Sequence, residues 1–236
     1  MKATWLGQSG YLFESNGKRL LIDPFYSDIV EQKQGIKRLV EAPIPMRELK
    51  PDIIFITHNH LDHFDPIALP EIHELFPQTP IVGPESVILL AKEMGFDESI
   101  LIELPKGSKI KLGEFEITST AAYHSDPFAV GCLIKTQSTN MYYSGDTLLT
   151  ETLLDEIKSV AIQPLDVMFI IINGKLGNMN VDEAIELTKG LHPKLAIPMH
   201  YGMFKENTAD PVEFTTGCDI ISIPSKIMDL GQTTEI

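Results

Sequence analysis

The sequence is poor in cysteine, in basic residues and in long apolar runs. Cys132 and Cys218 are its only cysteines and form no CxxC pattern, so we expect two buried thiols and no redox or metal pair. The longest strictly apolar run, residues 167–172, is far shorter than the roughly 20 residues of a membrane span, so no membrane association is expected. The first residues contain no apolar signal region, which predicts a cytoplasmic location.

Acidic residues dominate the charge of the chain. Lysine and arginine total 19 against 33 aspartates and glutamates, giving a formal net charge of −14. Such a field repels polyanions, so we expect a small-molecule substrate and no nucleic-acid partner. The most basic stretch, residues 33–47, contains Glu41 and follows Glu31. We interpret it as a solvated, mostly helical face or a lid. A homo-oligomer is left open.

The composition favours one globular domain across residues 1–236. With 43% hydrophobic and 22% charged residues, the chain is neither disordered nor fibrous, and its length suits one sizeable core. We find no internal repeat and no low-complexity tract. The longest stretch without a clear pattern is loop-like, from residue 27 to residue 49, and it is placed to cover a site.

Local patterns predict two regions in which strands are followed by strand–helix alternation. The Asn16-Gly17 pair is a hairpin signal, and Asn180 with Glu183 resembles a capping box. Expected helices span residues 66–76, 84–94, 150–159, 181–191 and 211–216. Expected strands span residues 4–6, 11–14, 19–22, 52–57, 81–82, 100–104, 109–112, 114–122, 131–136, 141–144, 166–172, 194–198, 219–223 and 226–230. The pattern predicts an α/β fold with two mixed β-sheets packed face to face and helices outside.

Three histidines and an aspartate follow the apolar stretch at residues 53–57 within six positions. They are His58, His60, Asp62 and His63. From a tight loop, these imidazoles and the carboxylate can direct their lone pairs toward one point, which is the geometry of a metal site. By contrast, His73 and His192 lie in helix-like patterns without a partner motif, and we expect surface or capping roles for them.

Three more donors each follow a different predicted strand: His124, Asp146 and His200. Because ligands of α/β folds gather beyond the carboxyl ends of strands, these residues can join the first four in one site. Seven nitrogen and oxygen donors are too many for one tetrahedral ion and suit two cations that share a bridging carboxylate. No thiolate takes part, so zinc, manganese and iron are all compatible, and we expect two divalent ions, Zn²⁺ or Mn²⁺.

These residues resemble the HxHxDH motif of the metallo-β-lactamase superfamily. The resemblance implies a four-layer αββα sandwich, with His58, His60 and His124 on the first metal and Asp62, His63 and His200 on the second. Asp146 would be the bridge. Within the superfamily, the chain is similar to the L-ascorbate-6-phosphate lactonase branch. The segments that carry this likeness are WLGQSG at residues 5–10, the motif region 57–66, ING at 172–174, NMN at 178–180 and IPMHY at 197–201.

The donor set predicts hydrolysis by a metal-bridging hydroxide, with Asp62 or Asp146 passing the proton to the leaving group. We expect a lactonase that acts on a small lactone, including a phosphorylated sugar lactone. Sequence context offers Lys175, Tyr201 and Asn173, with Arg47 in addition, as substrate contacts. Asp65 precedes Pro66 as a helix cap, and we expect it also to support a metal ligand.

Two alternatives stay open at this stage. The first is a phosphodiesterase acting on small phosphodiesters, since the same hydroxide can attack phosphorus. The second is an oxidoreductase similar to the flavodiiron proteins, which the presence of His60 disfavours because those proteins have a glutamate there. A purely structural role for the metals is disfavoured because the donors lie in loops, where an open coordination position is expected.

Overall fold

The N-terminal half of the chain forms most of the first β-sheet. The computed structural model describes residues 1–161 and 164–236. In chain order, the elements of this half are β1 (Lys2–Gly7), β2 (Gly10–Ser15), β3 (Lys18–Ile22), α1 (Ile29–Gln34), α2 (Met46–Leu49), β4 (Ile53–Phe55), α3 (Ala68–Leu75), β5 (Ile81–Gly83), α4 (Glu85–Glu93) and β6 (Leu101–Glu103). The first three strands are antiparallel and β4, β5 and β6 continue in parallel. Asn16 and Gly17 both have positive φ angles, as the hairpin signal predicts.

The C-terminal half forms the second sheet and returns one strand to the first. Its elements are β7 (Lys109–Leu112), β8 (Phe115–Ala121), β9 (Val130–Lys135), β10 (Asn140–Tyr143), α5 (Leu153–Val160), β11 (Val167–Ile171), α6 (Val181–Leu191), β12 (Ala196–Met199), α7 (Pro211–Ile220) and β13 (Thr233–Glu235). In the described residues the second sheet has the order β12-β11-β10-β9-β8-β7, and β13 pairs with β1 at the edge of the first. Both sheets mix parallel and antiparallel pairs, as predicted.

Aromatic side chains join the inner faces of the two sheets. Tyr11 and Phe13 of β2 contact Phe169 of β11, with ring centroids 4.8 and 5.1 Å apart. Because side chains alternate along a strand, Leu12 points to the opposite face, where it packs in a separate cluster with residues of α3 and α4. Helices α5, α6 and α7 contribute buried apolar side chains to the core of the second sheet. The αββα sandwich and the α/β class are therefore confirmed.

Asn180 and Glu183 form the predicted capping box at the start of α6. The Asn180 side chain accepts a hydrogen bond from the Glu183 amide at 3.0 Å, and the Glu183 carboxylate accepts one from the Asn180 amide at 2.9 Å. Cys132 and Cys218 are free and buried, in agreement with the sequence. Among the helices within the described residues, none is both long and apolar enough to cross a membrane.

The sequence prediction is wrong near the C-terminus. Residues 219–223 were expected as a strand, but α7 continues to Ile220 and ends in a turn. Phe214 and Cys218 are buried four residues apart on one face of this helix, while Ile220 is 80% exposed. A short apolar run does not distinguish helical from strand periodicity, which explains the error. Residues 226–230 also form no strand, and the last strand is β13.

The interpretation of residues 33–47 as a mostly helical face is wrong, since only residues 33–34 and 46–47 of that range are helical. The longer stretch from residue 27 to residue 49 nevertheless contains more structure than its loop-like pattern predicts. It forms α1, which ends at Gly35 with a φ angle of 73°, and the short helix α2. Ile29 and Val30 of α1 are buried against Phe25, Met203 and Phe204 in a small apolar cluster. Packing against a distant part of the chain therefore holds this segment.

Candidate metal centre

Loops that follow four strands bring all seven predicted donors together. The loop after β4 carries His58, His60, Asp62 and His63, while the other three donors follow β8, β10 and β12. Three groups of side chains each offer ligand atoms that lie within 4.8 Å of one another. The groups are His58, His60 and His124; His58, His63 and Asp146; and Asp62, His63 and His200. The first and third groups are the two sets that the family resemblance implies.

Asp146 lies between these two sets. Its Oδ1 atom is 3.2 Å from His63 Nε2, and its Oδ2 atom is 3.4 Å from His200 Nε2 and 3.8 Å from His124 Nε2. The carboxylate is almost fully buried. It therefore faces histidines of both sets, which is the arrangement that a bridging ligand requires.

Hydrogen bonds to Nδ1 orient two of the imidazoles. His63 Nδ1 donates to Asp23 Oδ2 at 2.8 Å, and His124 Nδ1 donates to the Gly177 carbonyl at 3.0 Å. Donation from Nδ1 leaves Nε2 with its lone pair directed toward the cluster. Gly177 has a φ angle of 89°, and a Cβ atom there would lie 3.2 Å from His124 Nδ1. Glycine at this position therefore permits the close approach of the ring.

Asp23 is a site residue that the sequence analysis missed. Its fully buried carboxylate accepts hydrogen bonds from the Thr57 amide, the Thr57 hydroxyl and His63, at 2.7–2.8 Å. It precedes Pro24, and such a pair is typical of a turn. It stands directly after an apolar strand, however, as the predicted donors do, and the same rule applied to β3 identifies it.

Two side-chain amides also contact the cluster. Gln8 Nε2 donates to Asp62 Oδ2 at 2.8 Å, and Asn178 Nδ2 donates to Asp146 Oδ2 at 2.8 Å. Both residues occur in segments that carry the family resemblance, but no spacing rule marks them as site residues. Their contacts arise only when the segments converge.

Charges within the cluster oppose the effect of burial on most of its pKa values. Burial disfavours protonation of His63 and His200, but the negative charge of Asp146 and its neighbours outweighs it and raises both pKa values, that of His200 to about 9. Burial alone would raise the pKa values of Asp62 and Asp146, yet the two imidazoles hold both below the usual aspartate value. Burial and the charge of His63 lower the pKa of His58. Without a cation, protons therefore neutralise part of the cluster.

The side chains fit divalent cations. His58 Nε2 is buried and has no hydrogen-bond partner among the described residues. Leaving such an atom unpaired costs roughly 1–3 kcal/mol, and a cation bound by the first set would pair it. The donors are imidazole nitrogens and carboxylate oxygens, which suit zinc, manganese and iron.

Comparison with known proteins agrees with this geometry. Residues 2–200 match the family model of the beta-lactamase superfamily domain. The chain belongs to the beta-lactamase superfamily. A UPF0173 protein of Pyrococcus furiosus is 32% identical over 215 residues, which cover 91% of this chain and 89% of the relative. A UPF0173 metal-dependent hydrolase of Pyrobaculum islandicum is 30% identical over 245 residues and 100% of both chains. The structure of a novel metallo hydrolase from Ignicoccus hospitalis is similar, with a TM-score of 0.77 and 24% sequence identity. The match covers 100% of this chain and 98% of the Ignicoccus chain.

In this superfamily member, a cleft of about 550 Å³ opens onto the metal-ligand candidates. Side-chain amides, including those of Gln34, Asn59 and Asn207, and one hydroxyl group supply neutral polar groups to the cleft. Among the described residues, no lysine or arginine lines the cleft. Its apolar wall comes from Val30, Ile36, Leu61, Leu176 and Phe204. Since Val30 and Ile36 lie in the 27–49 stretch, that stretch forms part of the wall, in line with the expectation that it covers a site.

The predicted substrate contacts lie outside the cleft lining. Lys175 Nζ donates to the Glu206 carbonyl at 3.0 Å, and Tyr201 packs against Trp5 with ring centroids 4.8 Å apart. Asn173 donates to Asn207, so it reaches the cleft only through that neighbour. Arg47 is an exposed residue of α2 that faces Glu48. The structure therefore does not bring these four side chains to the wall of the cleft.

Asp65 makes hydrogen bonds to the loop at residues 26–27 and does not contact a metal-ligand candidate. Its buried carboxylate accepts hydrogen bonds from Tyr26 and Ser27 on one side, and from the amides of Ile67 and Ala68 at the start of α3 on the other. The predicted capping role agrees with these contacts. Asp23, which is not one of the seven predicted donors, accepts the hydrogen bond from His63 that was expected of Asp65 as a supporting residue.

Proposed function

We propose that this chain is a metal-dependent hydrolase that uses two divalent cations, Zn²⁺ or Mn²⁺, to open a small lactone. The observation that carries the proposal is the convergence of seven donors into two sets joined by Asp146. The name of the Pyrobaculum relative, a metal-dependent hydrolase, supports it. Because the donors follow strands of both sheets, we further propose that residues 1–236 act as one catalytic domain.

Each set of donors would bind one of the two cations. His58, His60 and His124 would hold one, Asp62, His63 and His200 the other, and Asp146 would be shared. When bound, such a pair supplies a water of lowered pKa and a Lewis acid that polarises the oxygen under attack. The residues of the chain align the donors through the contacts of Asp23, Gly177 and Asn178.

Asp62 is the better placed of the two acids for moving a proton. Both acids line the cleft and each accepts a hydrogen bond from a side-chain amide, but the side chain of Asp62 is 17% exposed and that of Asp146 only 4%. The surrounding imidazoles hold the pKa of Asp62 low, so its carboxylate is ionised at neutral pH. We assign it the transfer of a proton from the attacking water to the leaving oxygen, while Asp146 fixes the geometry.

The chemistry of the cleft favours an uncharged substrate over a phosphate ester. Binding a phosphate group that lies away from the two cations calls for arginine, lysine or converging N–H groups. The described lining has no basic side chain other than the histidines of the cluster, and five apolar side chains form one wall. A lactone is uncharged, and the volume of the cleft is within the usual range for small-molecule sites. We therefore place an unphosphorylated lactone ahead of a phosphorylated one, and a phosphodiester, whose reacting phosphate would be held by the cations themselves, is the alternative substrate.

The test is hydrolysis by purified protein that is stripped of metal and reconstituted with Mn²⁺ or Zn²⁺. The panel contains a sugar lactone, its phosphorylated form and a small phosphodiester. We expect the unphosphorylated lactone to be opened fastest, and His60→Ala or Asp146→Ala to abolish turnover. His73→Ala, on α3, is the control and should leave activity unchanged. Full activity in the two site variants would refute the ligand assignment, and preference for the phosphodiester would support the alternative function.

A further inference from the structure

Gln8 occupies a position that its local sequence does not explain. It follows β1, its side chain is fully buried, and its φ angle is 52°, in the left-handed region that residues other than glycine rarely adopt. Such a conformation costs on the order of 1–3 kcal/mol and persists only where the surroundings hold it. Here the Gln8 carbonyl accepts hydrogen bonds from the Trp5 indole at 3.0 Å and from the His200 amide at 3.1 Å. These two hydrogen bonds therefore hold the backbone of Gln8 in its left-handed conformation.

The fixed backbone directs the Gln8 amide at the second set of donors. Its Nε2 atom lies 2.8 Å from Asp62 Oδ2 and 3.1 Å from His200 Nε2. Two of the three side chains in that set thus contact one amide group. Gln8 Oε1 is buried without a hydrogen-bond partner among the described residues, although an unpaired oxygen is costly to bury.

These contacts suit a group that orients a carboxylate ligand. An amide N–H donor directs one lone pair of Asp62 Oδ2 toward itself and leaves the others for a cation. The amide is neutral, so it adds no charge beside Asp62 and Asp146, whereas a glutamate there would place a third negative charge in the cluster. An apolar side chain of the same length would fill the space without holding the carboxylate.

We propose that Gln8 is a positioning residue that sets the affinity of the second cation by orienting Asp62. This inference rests on the proposed pair of cations. It predicts an effect on one position only, because none of the hydrogen bonds described for Gln8 involves the first set, His58, His60 and His124.

The test is titration of metal-free, full-length protein with Mn²⁺, following free Mn²⁺ by electron paramagnetic resonance. Gln8→Met keeps the length of the side chain and removes the N–H donors and the carbonyl oxygen of its amide group. We expect it to bind one of the two cations about 10- to 100-fold less tightly than the unmodified protein, with the other position unchanged. Gln8→Ala should show the same selective loss. The control is Ser9→Ala, since Ser9 Oγ is equally buried and has no hydrogen-bond partner among the described residues.

The outcomes separate this inference from the proposed function. If the unmodified protein binds only one Mn²⁺, the pair of cations itself is refuted. If it binds two, unchanged affinity in both Gln8 variants would overturn the role of Gln8. Equal loss at both positions, or the same loss in Ser9→Ala, would also overturn it, because general damage to the fold would then explain the effect. Loss confined to one position, with Ser9→Ala unaffected, supports the inference.

Discussion

Replacing Asp23 with asparagine should weaken the second cation position while leaving the shape of the core intact. In the structure, Asp23 Oδ1 accepts from the Thr57 amide, and Oδ2 accepts from the Thr57 hydroxyl and from His63 Nδ1. Asparagine keeps one oxygen for the Thr57 amide and presents an NH₂ group to the other two. His63 must then give up its Nδ1 proton or lose the contact, and a proton on Nε2 blocks the atom that faces the cluster.

The size of the effect follows from the bonds that are lost. Two hydrogen bonds to a buried carboxylate disappear, at roughly 1.5–3 kcal/mol each, and partial compensation by the Thr57 hydroxyl leaves an expected loss of about 2–4 kcal/mol in the free energy of unfolding. Mn²⁺ affinity at the second position should fall about 10- to 100-fold. Urea denaturation of metal-free protein measures the first quantity and Mn²⁺ titration the second.

Asp65→Asn is the matched control, because Asp65 is equally buried and its hydrogen bonds go to the loop at Tyr26 and Ser27 and to the start of α3. It should reduce stability without a selective change in metal affinity. Unaltered Mn²⁺ binding in Asp23→Asn would refute the reasoning about His63. Selective loss in Asp65→Asn would instead support the sequence-based expectation that Asp65 supports a ligand.

Three further predictions concern charge, substrate contact and helix stability. Metal-free protein should become less stable between pH 6.5 and pH 9, because the raised pKa values of His63 and His200 stabilise the fold only while these groups are protonated; the rise of the His200 pKa to about 9 corresponds to roughly 3 kcal/mol, and His63 adds to it. Urea denaturation across this range should show a decline that saturating Mn²⁺ removes, and a flat profile contradicts it. Lys175→Ala should leave KM for the lactone unchanged, since its ammonium binds the Glu206 carbonyl, and a raised KM would restore Lys175 as a substrate contact. Asn180→Ala should lower stability by about 1 kcal/mol through loss of the cap of α6, as thermal unfolding will show, with no change in metal binding.

Some features of the site could be read from the sequence because their signal is local. His58, His60, Asp62 and His63 lie within six positions, and such a group needs no knowledge of the fold to be recognised. The later donors were found because each follows an apolar strand. Asp23 and Gln8 also follow strands, but an aspartate before proline reads as a turn and a lone glutamine carries no metal signal. Their roles depend on contacts with residues more than 30 positions away.

The cleft shows the limit of such reasoning more clearly. Sequence context offered Lys175, Tyr201 and Asn173 as substrate contacts. In the structure, Tyr201 packs against Trp5 and Lys175 donates to the Glu206 carbonyl. The apolar wall comes instead from segments such as α1 and the region of Phe204, which no motif marks. Short-range context could not show which side of each loop faces the cavity.

Hydrophobic period and residue spacing were enough to predict the alternation of strands and helices, the two-sheet class and the seven candidate donors, because they express local conformational preferences. The side chains that orient those candidates, and those that line the cleft, became apparent only in the folded chain. These features arise from packing between segments far apart in the chain, and buried hydrogen bonds such as that from His63 to Asp23 form only after the two sheets have brought their strand ends together.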